Sequence, residues 1–188
     1  MKVTREQASQ NRDRVLEVAG RLFRERGFDG IGVADLMKSA GLTHGGFYGQ
    51  FTSKEELMAE ACGRSFDNAA EIWSGLAGST DGNPLAAVMQ GYLSPQHRDN
   101  PGEGCVMAAL GADAARQGPS LRRAVTEGTR KLLDLFTGFA PGRAKALKRE
   151  RAVVAYASMV GALILARAVD DEALSDEILQ TVAASLSA

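Results

Sequence analysis

Apolar residues recur along this chain with the period of an α-helix almost from end to end. Between Asp13 and Arg26, the residues Val15, Val18, Ala19, Leu22 and Phe23 fall at i, i+3, i+4, i+7 and i+8, one face of a helix. Gly27 stands where a left-handed residue would close it. Val33, Leu36, Met37 and Ala40 make one face of a second, shorter helix that Gly41 breaks. Thr43 is placed to cap a third short helix through its hydroxyl. Ser53-Lys54-Glu55-Glu56 reads as a capping box. It opens a helix to about Leu76, with Leu57, Ala61, Ser65 or Phe66, Ala69, Trp73 and Leu76 inward. Pro84, Pro101 and Pro119 each follow Asn or Gly, the pattern of proline at a first helical position. They predict helices near 84–93, 101–117 and 119–139, followed by 144–169 and 174–186. Ser94 to Asn100, with Pro95, is predicted as a rigid loop. Alternating β-branched runs are absent. The expected fold is therefore all-α with about nine helices: a three-helix unit over 1–53 and a helical bundle over 54–188.

Residues 32–51, GVADLMKSAGLTHGGFYGQF, have the layout of a helix-turn-helix. Such a motif presents the start of its second helix to base edges in the major groove. The expected exposed positions are Thr43, His44, Gly45, Gly46, Tyr48 and Gln50, with Phe47 and Phe51 turned to the core. Glycine weakens a helix by about 1 kcal/mol relative to alanine, yet lets the backbone approach DNA closely. The spacing alone is equally consistent with a helical hairpin loosened by its glycines. His44 has two readings as well: a contact to base or phosphate, or a polar surface residue.

Charge adds a modest asymmetry. Residues 1–54 carry nine Lys/Arg against six Asp/Glu, whereas 55–188 carry 13 against 17. A positive bias at one end suits nucleic acid there, although differences of this size also arise by chance. The polar, charged stretch from Met1 to Arg14 has no signal-peptide character. Two cysteines, Cys62 and Cys105, suit a reducing cytoplasm better than a disulfide framework. The charge-free run from Ala152 to Ala166 is 15 residues, short of the roughly 18–20 that a membrane span requires. It is expected to be a buried helix, with no membrane partner. Two distant histidines and two distant cysteines make no metal-ligand spacing, and neither a phosphate loop nor a nucleophile motif is present. No enzyme, metal or cofactor is expected.

The span RDRVLEVAGRLFRERGFDGIGVADLMKSAGLTHGGFYGQFTSKEEL resembles the N-terminal domain of TetR/AcrR-family regulators. The matching marks are Ala19…Leu22-Phe23…Gly27-Phe28, Ala40-Gly41-Leu42, Phe47-Tyr48…Phe51 and Ser53-Lys54-Glu55…Leu57. The resemblance implies a bacterial cytoplasmic one-component regulator, most often a repressor. It would be a homodimer with a DNA-binding domain over 1–53 and a ligand-binding and dimerisation domain over 54–188. It also implies that Tyr48 and Lys54 contact phosphates, that Thr43 caps and touches the backbone, and that His44, Gly45, Gly46 and Gln50 lie toward bases of a palindromic operator. Gly32-Val33 depart from the family's frequent Ser/Thr pair at the start of the second helix. The alternative reading is a ligand- or redox-binding helical protein without specific DNA recognition.

The segment from Tyr92 to Pro119 resembles a subgroup with Gly-Cys at the start of the sixth helix. Cys105 is expected in the first turn of a helix, where helix N–H groups favour a thiolate. The other reading is a small buried core residue, which is also the expectation for Cys62. A pocket between helices would draw on Phe66, Trp73, Tyr92, Leu93, Met107, Leu110, Leu132, Phe136, Tyr156 and Met159, with His97 and Cys105 nearby. Since no charges converge among these, a small, mostly apolar inducer is expected. Val153, Ala157, Val160, Gly161 and Ile164, with Leu174, Ile178 and Val182 on the last helix, are expected to form a dimer face. Ser175 is expected to cap that last helix.

Overall fold

The computed structural model describes residues 4–187, with side chains described as far as 186. Among the described residues nine α-helices and two 3-10 turns account for the regular structure. Helix α1 (Arg5–Arg26) is capped by Thr4, whose Oγ1 accepts from the N–H of Gln7 at 3.1 Å, and is closed by Gly27 at φ 76°. It begins eight residues before the apolar stripe does, because the first two turns are polar on every side. Helix α2 (Val33–Ser39) ends before Gly41, at φ 71°.

Helix α3 (Lys54–Gly78) starts on the capping box. Ser53 Oγ accepts from Glu56 N–H at 3.1 Å. The return bond from Glu56 lands on Thr52, whose N–H donates to Oε2 at 2.5 Å, rather than on Ser53 itself. Helices α4 (Pro84–Tyr92), α5 (Pro95–Asp99) and α6 (Val106–Ala114) come next, then α7 (Pro119–Phe139), α8 (Lys145–Ala168) and α9 (Glu172–Ser187).

Three local expectations need correction. The segment 94–100 is a short helix, because Ser94 accepts from His97 N–H and Pro95 supplies a preset first position. The predicted helix over 101–117 is split: a 3-10 turn at Pro101–Glu103, an extended Gly104, then α6. Ser175 is not a cap. It lies inside α9, 3% exposed, and donates to Ala166 O at 2.7 Å, while Asp171 caps through Leu174 N–H.

Helices α3 and α7 are the most extensively packed pair, with α1 on the other side of α3, α8 against α7, and α9 against α8 and α4. The α3–α7 approach depends on Gly128: a Cβ there would sit 2.2 Å from the ring of Phe66. On the other side of α3, Arg12 clasps Glu60 with two bonds of 2.5 and 2.7 Å and lies 4.4 Å over the Phe51 ring. Helix α8 is, by length and composition, apolar enough to cross a membrane. Its inward residues, including Ala152, Tyr156, Met159 and Leu163, are buried against neighbouring helices, while Val153, Val154, Ile164 and Leu165 stand exposed.

The Gly128 contact gives a test of this packing. Gly128→Ala should destabilise the chain by about 1–3 kcal/mol, the usual range for overpacking a core. Gly75→Ala, on the same α3 but with nothing within 4 Å of its new Cβ, should stabilise by up to about 1 kcal/mol. Urea unfolding of the two variants checks both signs. Equal effects would mean that α7 does not approach α3 as described.

Candidate functional site

Two regions collect the polar and unusual features. The first is the turn after α2. Thr43 is extended and its hydroxyl makes no capping bond, so the expected side-chain cap is not formed. Beyond Thr43 the chain makes a single 3-10 turn, His44–Gly46, then an irregular turn through Gln50, in place of a regular α-helix. Glycines at 45, 46 and 49 explain this, since each lowers helix stability by about 1 kcal/mol against alanine. Phe47 and Phe51 are buried and stacked at 5.6 Å, which pins the turn to the core. Tyr48 projects outward, 69% exposed, with its ring edge-on to His44 at 5.9 Å and to Phe47 at 5.2 Å.

Thr43, His44 and Gly45 are exposed, and nothing lies within 4 Å of where a Gly45 side chain would begin. Gly46 and Gln50 are only half-buried rather than exposed, and Gln50 Oε1 is sealed from solvent without a hydrogen-bond partner. Lys54 donates from Nζ to Phe28 O at 2.6 Å, which ties the start of α3 to the end of the α1 turn and leaves two N–H donors.

The second region is a cavity of about 150 Å³ walled by α1, α3, α4, α5, α7 and the 101–106 segment. Of the expected pocket residues, Phe66, Trp73, Tyr92, His97, Cys105 and Leu132 line it. Leu93, Met107, Leu110, Phe136, Tyr156 and Met159 do not; they pack into or against the core around it. The expectation that no charges converge is corrected: Arg24 and Glu103 are in the wall, with Ser65 and Asn68. Sequence patterns assign Arg24 to the DNA-binding unit. Its one signal is Gly20, a turn earlier, whose missing side chain leaves room for Ser65 Oγ and the Arg24 guanidinium.

Arg24 reaches from α1 across the boundary between the two halves. Its Nε donates to Gly102 O at 2.8 Å, Nη2 donates to the same oxygen, and Nη1 donates to Ser65 Oγ at 2.5 Å. Cys105 is the N-cap of α6, not a residue of its first turn, and is 7% exposed. Its N–H donates to His97 Nε2 at 3.0 Å. That leaves the ring proton on Nδ1, which donates to Tyr92 O at 2.7 Å. The neutral imidazole thus holds α4 to the start of α6. Burial pushes the His97 pKa below its ordinary 6.5, against a weaker raising effect of the Tyr92 carbonyl. Trp73, Tyr92 and His97 form a continuous aromatic wall, with centroids 4.6 to 5.9 Å apart. Gly104 is required here, because a Cβ would lie 2.8 Å from His97 Nε2 and 2.9 Å from Arg167 Nη2.

Residues 15–61 match the pattern of the family described as bacterial regulatory proteins, tetR family. Over this segment the chain carries the DNA-binding domain pattern of the TetR family of transcriptional regulators. It is 30% identical to the transcriptional regulator AcrR of Shigella flexneri over 87 residues, 46% of this chain and 40% of AcrR. It is 27% identical to the transcriptional repressor NemR of Escherichia coli over 129 residues, 67% of this chain and 65% of NemR. The aligned stretches thus span less than two thirds of these relatives. The fold extends further. The reduced form of E. coli NemR superposes with a TM-score of 0.78 at 24% identity, covering 94% of this chain and 95% of that one. A TetR regulator from Chloroflexus aurantiacus superposes at 0.79 and 20% identity, covering 97% and 96%.

The buried imidazole makes stability depend on pH. A depressed folded pKa means that the folded chain resists protonation. The stability His97 contributes is complete above about pH 6.5 and is lost as pH falls through the lower folded value. Thermal unfolding from pH 7.5 to 5 should therefore show a fall in Tm that His97→Gln, able to accept from Cys105 N–H without titrating, makes shallower. Parallel profiles for the two proteins would show that His97 is not buried neutral.

Proposed function

We propose that the chain is a one-component repressor that binds a palindromic operator as a homodimer in the bacterial cytoplasm. Residues 1–53 bind DNA and 54–188 bind ligand and dimerise. The observation that carries the DNA half is the exposed Tyr48 on a turn that two buried phenylalanines hold rigid. Tyr48 and Lys54 bind phosphates. Thr43 touches the backbone, and His44, Gly45, Gly46 and Gln50 approach bases, Gln50 after turning out of its half-buried position. The two N–H donors that Lys54 does not spend on Phe28 are sufficient for a phosphate.

The dimer half rests on α8 and α9. Val153, Ile164 and Leu174 are 43%, 44% and 42% exposed. Ala157 is exposed, Val160, Gly161, Ile178 and Val182 are half-buried, and Gly161 leaves open space above the helix. A contiguous apolar face of this kind favours burial at about 25 cal/mol per Å² of apolar area. Both helices presenting one patch suit a twofold-symmetric four-helix interface.

Binding to duplexes from the DNA beside its own gene, with sedimentation at the same concentrations, tests the reading. The wild-type chain should be a dimer at micromolar concentration and protect two half-sites about 34–36 Å apart, or a near multiple. Tyr48→Ala should weaken all duplexes alike and reduce the salt slope by roughly one, whereas His44→Ala should change sequence preference. Ile164→Glu should yield monomers with weakened operator binding. A monomeric wild type that binds its operator fully would overturn the dimer, and unchanged binding by both Tyr48→Ala and His44→Ala would overturn the recognition turn.

Release of DNA is assigned to the cavity, by a small inducer or by modification of the Cys105 thiol, in keeping with the Gly104-Cys105 resemblance. Cys105 is in the cavity wall. Burial pushes the other thiol, Cys62, up to about 12 and leaves it unreactive. Cys105→Ser should retain operator binding and lose any release by mild thiol-directed electrophiles, while Cys62→Ser should keep that release. Release that persists in Cys105→Ser would exclude the thiol route.

A further inference from the structure

The cavity's inner end carries a chemistry that its apolar walls do not account for. Behind the Cys105 thiol, Tyr92 from α4 and Tyr156 from α8 bring their hydroxyls beside the sulfur. Tyr92 is 1% and Tyr156 5% exposed, and neither hydroxyl makes a hydrogen bond of good geometry, with only the weakly accepting Cys105 sulfur near both. Both phenols are held protonated, since burial raises their pKa first and the neighbouring thiol adds to it. Arg167 from α8 lies close enough for its charge to act on Tyr92 and Cys105. Its Nε donates to Arg98 O at 2.9 Å and its Nη2 to His97 O at 2.7 Å, but Nη1 is equally sealed from water and donates to nothing. Among the described residues neither Arg167 nor Arg24 forms an ion pair; each guanidinium bonds only to carbonyl or hydroxyl oxygens.

Buried donors are rarely left unmade, and buried charges are ordinarily paired. Here two O–H groups and the Nη1 amino group are left over, beside a guanidinium that no carboxylate touches directly and that Asp99 acts on only at a distance. An acceptor-rich anion satisfies all three at once. A carboxylate fits, with two oxygens and about four lone-pair sites. A primary amide does not, because its NH2 would face the same donors. We propose that the cavity takes a small monoanionic carboxylic acid, its head held by Tyr92, Tyr156 and Arg167 beside Cys105 and its apolar body against Phe66, Trp73 and Leu132. This rests on the reading of the chain as a ligand-released regulator and replaces the apolar inducer expected from sequence by an amphipathic acid. Reaching Arg167 requires the Cys105 side chain to turn aside, which its position at the N-cap of α6 allows without unwinding the helix.

Calorimetric titration of the full chain with benzoate, phenylacetate and hexanoate, each beside its neutral amide, tests the inference. At least one carboxylate should bind ten times or more tightly than its amide. Tyr92→Phe and Tyr156→Phe should each remove most of that preference while leaving the Tm of the ligand-free chain unchanged or higher, because each hydroxyl removed makes no hydrogen bond of good geometry in the free protein. The inference is overturned if no carboxylate of the three is preferred over its amide, binding or not, or if both phenylalanine variants keep the preference. Operator release is scored separately by fluorescence anisotropy. A preferred carboxylate that leaves DNA bound supports the subsite and overturns its role as inducer; loss of operator binding by the ligand-free chain overturns the regulator reading alone.

Discussion

The close approach of α3 and α7 at Gly128 governs the layout of the helices that follow the turn at 43–50. Without a side chain at 128, α7 lies directly against the ring of Phe66. That ring then forms the floor of the cavity, with Leu132 one turn further along α7. Because α3 is 25 residues long, the helix that packs on α7 is the same one that α1 packs on near its start. Placement of the cavity and placement of the turn at 43–50 are therefore both tied to one helix. The capping box at Ser53 fixes where that helix begins, and Lys54 bonded to Phe28 O fixes how it leaves the N-terminal unit.

Legibility from sequence tracks the physical origin of each feature. Elements set by local chemistry are readable: the start of α3 from Ser53 and Glu56, the end of α1 from Gly27, and the start of α7 from Pro119. Elements whose stability comes from tertiary contacts are not. The first two turns of α1 carry no apolar face, so periodicity does not find them. Helix α5 reads as a loop because five residues are too few for a hydrophobic period to register. The break at Gly104 between the 3-10 turn and α6 comes from His97 and Arg167 closing over that glycine, a contact between segments far apart in sequence. Half of the expected cavity residues line it. The six that do not, such as Met159 and Phe136, are apolar residues at helical spacing, and spacing alone cannot separate core from cavity. Ser175 has the right chemistry for a cap and is recruited instead to bind Ala166 O and to accept from Arg98.

Most instructive are the polar residues that periodicity passes over. Arg24, Tyr156 and Arg167 lie on helices whose apolar stripes dominate the pattern, yet they decide the electrostatics between the helices. Tyr156 reads as a pocket residue, whereas its ring packs into the core 5.5 Å from Phe136. Only its hydroxyl distinguishes it, and that matters because nothing in the fold satisfies it. Arg167 reads as a basic residue suited to the C-terminal turn of α8, where a cation complements the helix dipole. In the structure it is turned instead against the carbonyls of α5. A residue with a sound local reason to be present can thus still be working at a distance.

Arg24 joins the two halves of the chain through the same logic. It belongs to α1, which packs against α2, yet three of its N–H groups are spent on Gly102 O and Ser65 Oγ. Moving Gly102 away would leave a largely buried guanidinium with lost partners, and uncompensated buried charge costs several kcal/mol. The lower-energy response is for α1 to move with it. Gly102 is itself held in place by the 3-10 turn that leads through Gly104 to Cys105 and His97, the part of the wall next to the unsatisfied tyrosine hydroxyls. The wall of the cavity and α1 are thus joined through Cys105, Gly104, Gly102 and Arg24, and a Cβ on either glycine would crowd Glu25 or His97 and Arg167.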